Sequence, residues 1–469
     1  MRSIVGHKSR LVSLIWRAVQ PYWTDAGRDA ASHLAWLVIY SLSAQACSLI
    51  GVLIMARGLN VESFGGLMYA LTVQSYLLLI GSAGVKTVVL RESKVHEDLH
   101  DTVLTSHLLI TLTASATAFF LTTIFVTFVA GGVGDRFVIS LLALGNVAVC
   151  VNIRPFFDSH HRQPLSAIII CLTEVGGLIV ILLLFSFNRL NLPMLSIVFV
   201  GKWTLGTIAH YLAYNYTIRP IRLSYSSRNI RRIASSSWPL LLAGILTTIP
   251  MSTGIFFVRY WHGVADSAMI GFAQQIAGGY VMLALLGNRI VEPHIAGTFG
   301  LHASFARKLA VFAVCYLALI LLGSMTLAYA VLTWLLPSLY GQAVVPTCLM
   351  LVGAMSVGAG MILRMYLIVL AREIWVFGAY GLGATVAVIG SACAAPRFSS
   401  TGVATTMMLG CIVATLAMFV GVLANRSRFY IEDALREHEK SKRIGAAGTL
   451  AAERDGILQV NSGANVKHD

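Results

Sequence analysis

Residues 165–217 read LSAIIICLTEVGGLIVILLLFSFNRLNLPMLSIVFVGKWTLGTIAHYLAYNYT. Two unbroken apolar runs, about 165–187 and 192–217, flank the polar break Asn188-Arg189-Leu190-Asn191. Each run has the length of about 20 residues that a helix needs to cross a bilayer's hydrocarbon. The apolar positions are continuous rather than alternating with period two, so the spans are helices and not barrel strands. Each run also carries one charge far from its ends, Glu174 in the first and Lys202 in the second.

Working outward, the pattern recurs at about 34–56, 65–89, 105–129, 137–153, 239–258, 265–288, 309–336, 343–363, 375–395 and 400–424. The whole composition agrees. Of the 469 residues, 57% are hydrophobic and 12% charged, against about 45–50% and about 25% in a soluble domain. This excludes an ordinary soluble enzyme, a disordered chain and a nucleic-acid binder, although the net charge is +14. The expected fold is all-α: a polytopic membrane protein with about 12 transmembrane helices.

The excess of Lys and Arg is a topology signal. With the N-terminus cytoplasmic, twenty-eight of the 34 basic residues fall on the cytoplasmic side, five outside, and Lys202 within a span. Both chain ends are therefore expected in the cytoplasm. No cleavable signal peptide is expected, because the first apolar run starts at about residue 34 with no short apolar region and cleavage site before it. Leu11, Leu14, Ile15, Ala18, Val19 and Tyr22 share one helical face opposite Arg10 and Arg17. That spacing suits an interfacial helix over 8–23, the alternative being an undocked arm. The seven cysteines lie in or beside apolar spans without a CxxC pair, so neither a metal site nor a disulfide framework is expected.

The longest internal loop, 218–238, is basic and Ser-rich and divides the spans six and six. The expected organisation is an arm over 1–33, a first six-helix lobe over 34–217, the linker 218–238, a second lobe over 239–424 and a polar cytoplasmic tail over 425–469. Arg57, Gly65 and Arg91-Glu92 in the first half are echoed by Arg259, Gly271, Arg289 and Glu292 in the second. Two halves of even span count run the same way through the membrane, as repeats related by an axis along its normal do.

Loops between spans are short, no large external domain is present, and no GxxxxGK[ST] phosphate loop occurs. Transport or lipid handling is favoured over catalysis, and no catalytic residue or metal ligand is assigned. An intramembrane charge costs at least about 2.5–3.5 kcal/mol on insertion scales. Glu174 and Lys202 both fall near the midplane of consecutive antiparallel spans and can meet. Two readings stand: an ion pair that pins two helices, or a cavity site in which Lys202 attracts an anionic headgroup and Glu174 tunes it or carries a coupling proton. Arg57 and Arg259 end spans one and seven on the external side, either facing each other across a cavity mouth or snorkelling. Gln45, Gln74, Gln274 and Gln275 are candidates for sugar hydroxyls, or for hydrogen bonds between helices. His210, near the cytoplasmic end of span six, reads as a packed or interfacial residue.

Local motifs add a family. Ile54-Met55-Ala56-Arg57-Gly58-Leu59 with Glu62-Ser63-Phe64-Gly65 resembles the end of span one in polysaccharide flippases of the multidrug/oligosaccharidyl-lipid/polysaccharide exporter superfamily. Gly81-Ser82-Ala83-Gly84 leading to Arg91-Glu92 resembles the end of their second span. Ile270-Gly271-Phe272, Glu292-Pro293 and Leu336-Pro337-Ser338-Leu339-Tyr340-Gly341 resemble landmarks of their second half. The chain departs from the pattern at Asn60, where a Gly is common, and in its longer polar tail. The resemblance covers about 34–424 and implies a V-shaped pair of lobes around a central cavity, working by alternating access. It also implies a flippase that moves an undecaprenyl-diphosphate-linked oligosaccharide across the bacterial inner membrane for exopolysaccharide, capsule, lipopolysaccharide or O-antigen synthesis. Cavities of the family often carry Arg and Lys for the diphosphate, which suits Lys202, Arg57 and Arg259. Implied partners are the lipid-linked oligosaccharide, membrane lipids, a polysaccharide polymerase and a chain-length regulator, with no nucleic acid. No cofactor is implied beyond coupling to H+ or Na+. The alternatives are a cation-coupled drug or metabolite exporter of the same superfamily, and a membrane polysaccharide polymerase or ligase.

Overall fold

A computed structural model describes residues 25–95, 99–129, 133–160, 162–297, 303–336, 340–369 and 372–425. The 8–23 stretch and most of the tail lie outside the described residues. Within them every regular element is a helix. The first eight are α1 (Asp25–Gly58), α2 (Val61–Ser82), α3 (Val85–Val95), α4 (His100–Val129), α5 (Val133–Cys150), α6 (Arg154–Ser159), α7 (Gln163–Ser186) and α8 (Leu192–Thr217). There follow α9 (Ser227–Ser252), α10 (Gly254–Gly297), α11 (Ala303–Ala330) with a π-helical turn Val331–Leu335, α12 (Val344–Val369), α13 (Glu373–Ala394) and α14 (Ser399–Ala424).

Eleven stretches of described residues are long and apolar enough to cross a membrane. One of them, Ser227–Leu285, has 59 residues, roughly 90 Å as a straight helix and about three times the hydrocarbon thickness. It folds back. Gly263 has φ 86° and ψ −170°, a conformation open to glycine and closed to side chains with a Cβ. Gln274 Nε2 donates to the Ser252 carbonyl at 3.1 Å, whereas 22 residues of straight helix would hold them roughly 33 Å apart. The described helices thus make twelve crossings, and the chain is a multi-pass membrane protein.

Local sequence sets the helix ends. Asn60 Oδ1 accepts from the Ser63 N–H at 2.7 Å to start α2, and Asn191 Oδ1 accepts from Met194 N–H at 3.0 Å to start α8; both satisfy otherwise orphaned N–H groups. Ala83 and Gly84 both have positive φ and stop α2. The basic segment 218–238 is helical from Ser227, two turns and more before the apolar run, because Ser226 caps it by accepting from Asn229 N–H. Polarity ends a span here, not a helix. α5 stops at Cys150, and Pro155 opens the separate short helix α6, whose Phe156 and Phe157 are buried.

α1 packs on α7, α5 on α8, and α2 on both α4 and α5; in the second set α12 packs on α14, α13 on α14, and α9 on α13. The two sets meet chiefly through α2 against α10, with α9 touching α3 and α4. At the face where Arg219 pairs with Asp101 and Arg232 with Glu92, the basic face, these ion pairs tie the segment just after α8 to α4, and α9 to α3. At the opposite face the α2–α10 seam is tight. A Cβ on Gly65 would lie 2.1 Å from the Val264 carbonyl oxygen, so only glycine permits that approach. Beside it Phe64, Phe272 and Tyr340 are buried and meet ring to ring, with centroids 5.5–6.3 Å apart.

Candidate functional site

Glu174 lies near the middle of α7 and Lys202 near the middle of α8. Their side chains meet: Lys202 Nζ is 2.9 Å from Glu174 Oε1 and 3.0 Å from Oε2. The side chains are 12% and 21% exposed for Lys202 and Glu174 respectively. Phe199, one turn before Lys202, places its ring 5.0 Å from the ammonium. Gly177, one turn beyond Glu174, leaves room for the lysine stem, since a Cβ there would lie 2.9 Å from Lys202 Cδ. Two charges of opposite sign on adjacent antiparallel helices thereby share the cost of leaving water.

This pair stands between two cavities. On one side a chamber of about 510 Å³ runs through the first set of helices to the basic end. Lys86 of α3, Arg154 of α6, and Asn152, His107, Thr173, Thr207 and His210 line it with Glu174 and Lys202. His210 is packed, with Nδ1 at 2.7 Å from the Gly206 carbonyl and Nε2 at 3.0 Å from Ser166 Oγ, as a packed residue should be. On the other side a narrow cavity of about 50 Å³ is walled by Ser48, Gly51 and Val52 of α1, Gly177 of α7 and Gln275 of α10. Val52 also lines a third space, an apolar groove of about 330 Å³ between α1, α10 and α11. Leu49, Phe272, Ile276, Tyr280 and Val331 form its wall, Gln45 is one of its few polar groups, and the exposed Leu42 and Leu327 mark its open side. Groove, narrow cavity, ion pair and chamber are consecutive.

The other expected residues are scattered. Gln45 sits at the groove, where a Cβ on Gly279 would lie 3.2 Å from its Nε2. Gln74 donates to Asn146 Oδ1 at 3.5 Å, and Gln274 bonds Ser252 and also accepts from Thr72 Oγ1 at 3.4 Å; these two join helices. Arg259 stacks over the Tyr69 ring at 4.1 Å, across the seam between the two sets. Arg57 is exposed at the end of α1. The glutamine of the narrow cavity is Gln275, next in sequence to the one that bonds Ser252. Lys86 and Arg154, taken from the sequence as topology charges, are chamber residues; nothing in their spacing separates the two roles, because the kink before α6 creates the wall they share. Among the described residues no group of His, Cys, Asp and Glu is arranged to hold a metal ion.

The sequence profile described as "Polysaccharide biosynthesis protein" matches residues 31–285. No curated protein sequence matches the chain. Among solved structures, a multidrug resistance MATE family transporter of the MOP superfamily in its inward-facing conformation is 14% identical, with a TM-score of 0.63 over 84% of this chain and 98% of that one. The lipid II flippase MurJ, in an inward closed conformation, is 11% identical with a TM-score of 0.63 over 85% of this chain and 90% of its own. A MATE transporter of Vibrio cholerae is 13% identical with a TM-score of 0.57 over 86% and 99%. At these identities the likeness is one of fold.

Proposed function

Because the chain belongs to the polysaccharide biosynthesis protein family, we propose that it is a flippase, and not an enzyme, for a lipid-linked oligosaccharide. The proposed substrate is an undecaprenyl-diphosphate-linked glycan carried from the inner to the outer leaflet of a bacterial inner membrane. What carries the reading is the succession of apolar groove, narrow cavity and polar chamber, with Val52 shared by the first two and Lys202 by the last two. A lipid-linked sugar needs all three: an apolar track open to the bilayer, a cation for its diphosphate, and a polar space for its first sugars. The chamber's volume lies within the roughly 300–1,000 Å³ of ligand pockets. In this reading the basic face is cytoplasmic, the two helix sets are the lobes of a V, and alternating access opens the α2–α10 seam toward the outside. A polymerase and a chain-length regulator would receive the product there.

The exporter alternative needs a mid-span acid able to take Na+ or H+. Glu174 directs both carboxylate oxygens at Lys202, which weighs toward the flippase. The deciding experiment uses a deletion strain, radiolabelled sugar and leaflet-selective enzymatic access to the lipid-linked oligosaccharide. Accumulation on the cytoplasmic side is expected. Accumulation on the outer face would assign a polymerising or ligating step instead, and normal glycan export with altered drug sensitivity would assign the exporter branch.

A further inference from the structure

The cation proposed for the diphosphate is already in use. Glu174 presents two oxygens to the Lys202 ammonium at 2.9 and 3.0 Å, the arrangement in which two non-bridging oxygens of a phosphate would meet it. The pair lines both the narrow cavity and the chamber, so a headgroup that reaches Lys202 from the chamber meets an ammonium already held by Glu174. Space for exchange lies on the chamber side, about 510 Å³ lined by both Glu174 and Lys202, and Gly177 leaves room for the lysine stem.

We propose that Glu174 is a resident competitor, holding Lys202 in the empty protein and yielding it to a diphosphate. This rests on the flippase reading and adds a rule of affinity to it. In mid-membrane an unpaired ammonium is costly, and Glu174 removes that cost whenever the substrate is away. The same contact weakens the site for its ligand, because apparent affinity is reduced by the fraction of protein in which the binding group is free. A site that must release its cargo on the far side benefits from both effects. Glu174 is thus a positioning residue that touches the substrate's ligand, not the substrate. Other charged or titratable groups line the two cavities with this pair: Cys47 of α1, Lys86 of α3, His107 of α4, Arg154 of α6 and His210 of α8.

The test is equilibrium binding of undecaprenyl diphosphate to the full chain in detergent, beside inorganic pyrophosphate as a second probe. Glu174→Gln is expected to bind the lipid about tenfold tighter than wild type, which is about 1.4 kcal/mol. Lys202→Gln should bind at least tenfold weaker, and the double variant as weakly as Lys202→Gln alone. Glu174→Asp, which keeps the charge on a shorter arm, should fall between wild type and Glu174→Gln, and it serves if the neutral variant does not fold. Equal or weaker binding by a folded Glu174→Gln, or by Glu174→Asp where the neutral variant fails, overturns the competition and leaves the flippase reading intact. Equal affinity for inorganic pyrophosphate overturns the lipid-linked reading but keeps the exchange at Lys202. No binding of either probe by wild type or by the Glu174 variants overturns both.

Discussion

Lys202 carries the clearest expectation for a glycan-export assay. Lys202→Ala should abolish export while membrane abundance, read by immunoblot, stays at the wild-type level. Loss of protein together with export would make the pair a structural pin. Gln274 supplies the contrast. Its bonds join α10 to α9 and to α2, and polar contacts between membrane helices average about 0.6 kcal/mol. Gln274→Ala should therefore lower thermal stability in detergent slightly and leave export intact. At this scale the sequence is a good guide to intramembrane charge, since Glu174 and Lys202 stand out against apolar runs. It is a poor guide to intramembrane amides. Gln274 and Gln275 are adjacent in sequence, yet one joins helices and the other lines the narrow cavity; a helix turns 100° per residue, and which face meets a neighbour is decided by packing.

Among the elements, α2 and α10 deserve the sharpest tests because they form the seam. Gly65→Ala would force a Cβ against the Val264 carbonyl, and the α2–α10 contact must open to accept it. The expected outcome is a greater thiol-labelling rate at Ser267→Cys, which lies beside Gly65, in the Gly65→Ala background than in an otherwise native chain. Unchanged labelling would show that the seam accommodates the methyl. Phe272→Ala removes a ring packed on Phe64 and Tyr340 and should destabilise by about 3 kcal/mol, read as a drop in thermal midpoint. Helix existence was legible from hydropathy alone, span by span. Helix ends were not. Ser226 starts α9 well inside a segment that reads as linker, because a capping hydroxyl and exposed arginines sustain a helix outside the hydrocarbon. The short helix α6, with Pro155 and two buried phenylalanines, is invisible to any window long enough to find a span.

For the whole molecule the decisive quantity is orientation. Twelve crossings leave Asp25 and Asn425 on one face, and the proposed reading assigns that face to the cytoplasm from the distribution of Lys and Arg. A fluorescent reporter that matures only in the cytoplasm should therefore glow when fused after Asp469, and a membrane-impermeant thiol reagent should label Arg397→Cys from outside. The reverse pattern would invert the proposed direction of flow. Span number and charge bias were readable because they depend on composition summed over long segments. The succession of groove, narrow cavity and chamber was not, since it depends on α1, α7, α8 and α10 converging on Val52, Lys202 and Gln275.

The closed seam bears on how such a protein can be poisoned. With Phe64, Phe272 and Tyr340 interlocked and Gly65 against Val264, a water-soluble compound arriving at the face opposite the basic one meets a wall in this state. The groove beside Leu42 and Leu327 opens sideways instead. An effective blocker of this conformation should be an amphiphile that first dissolves in the bilayer, slides in along α1, and sets an anionic head on Lys202. Its potency should then follow its concentration in the membrane rather than in the bath.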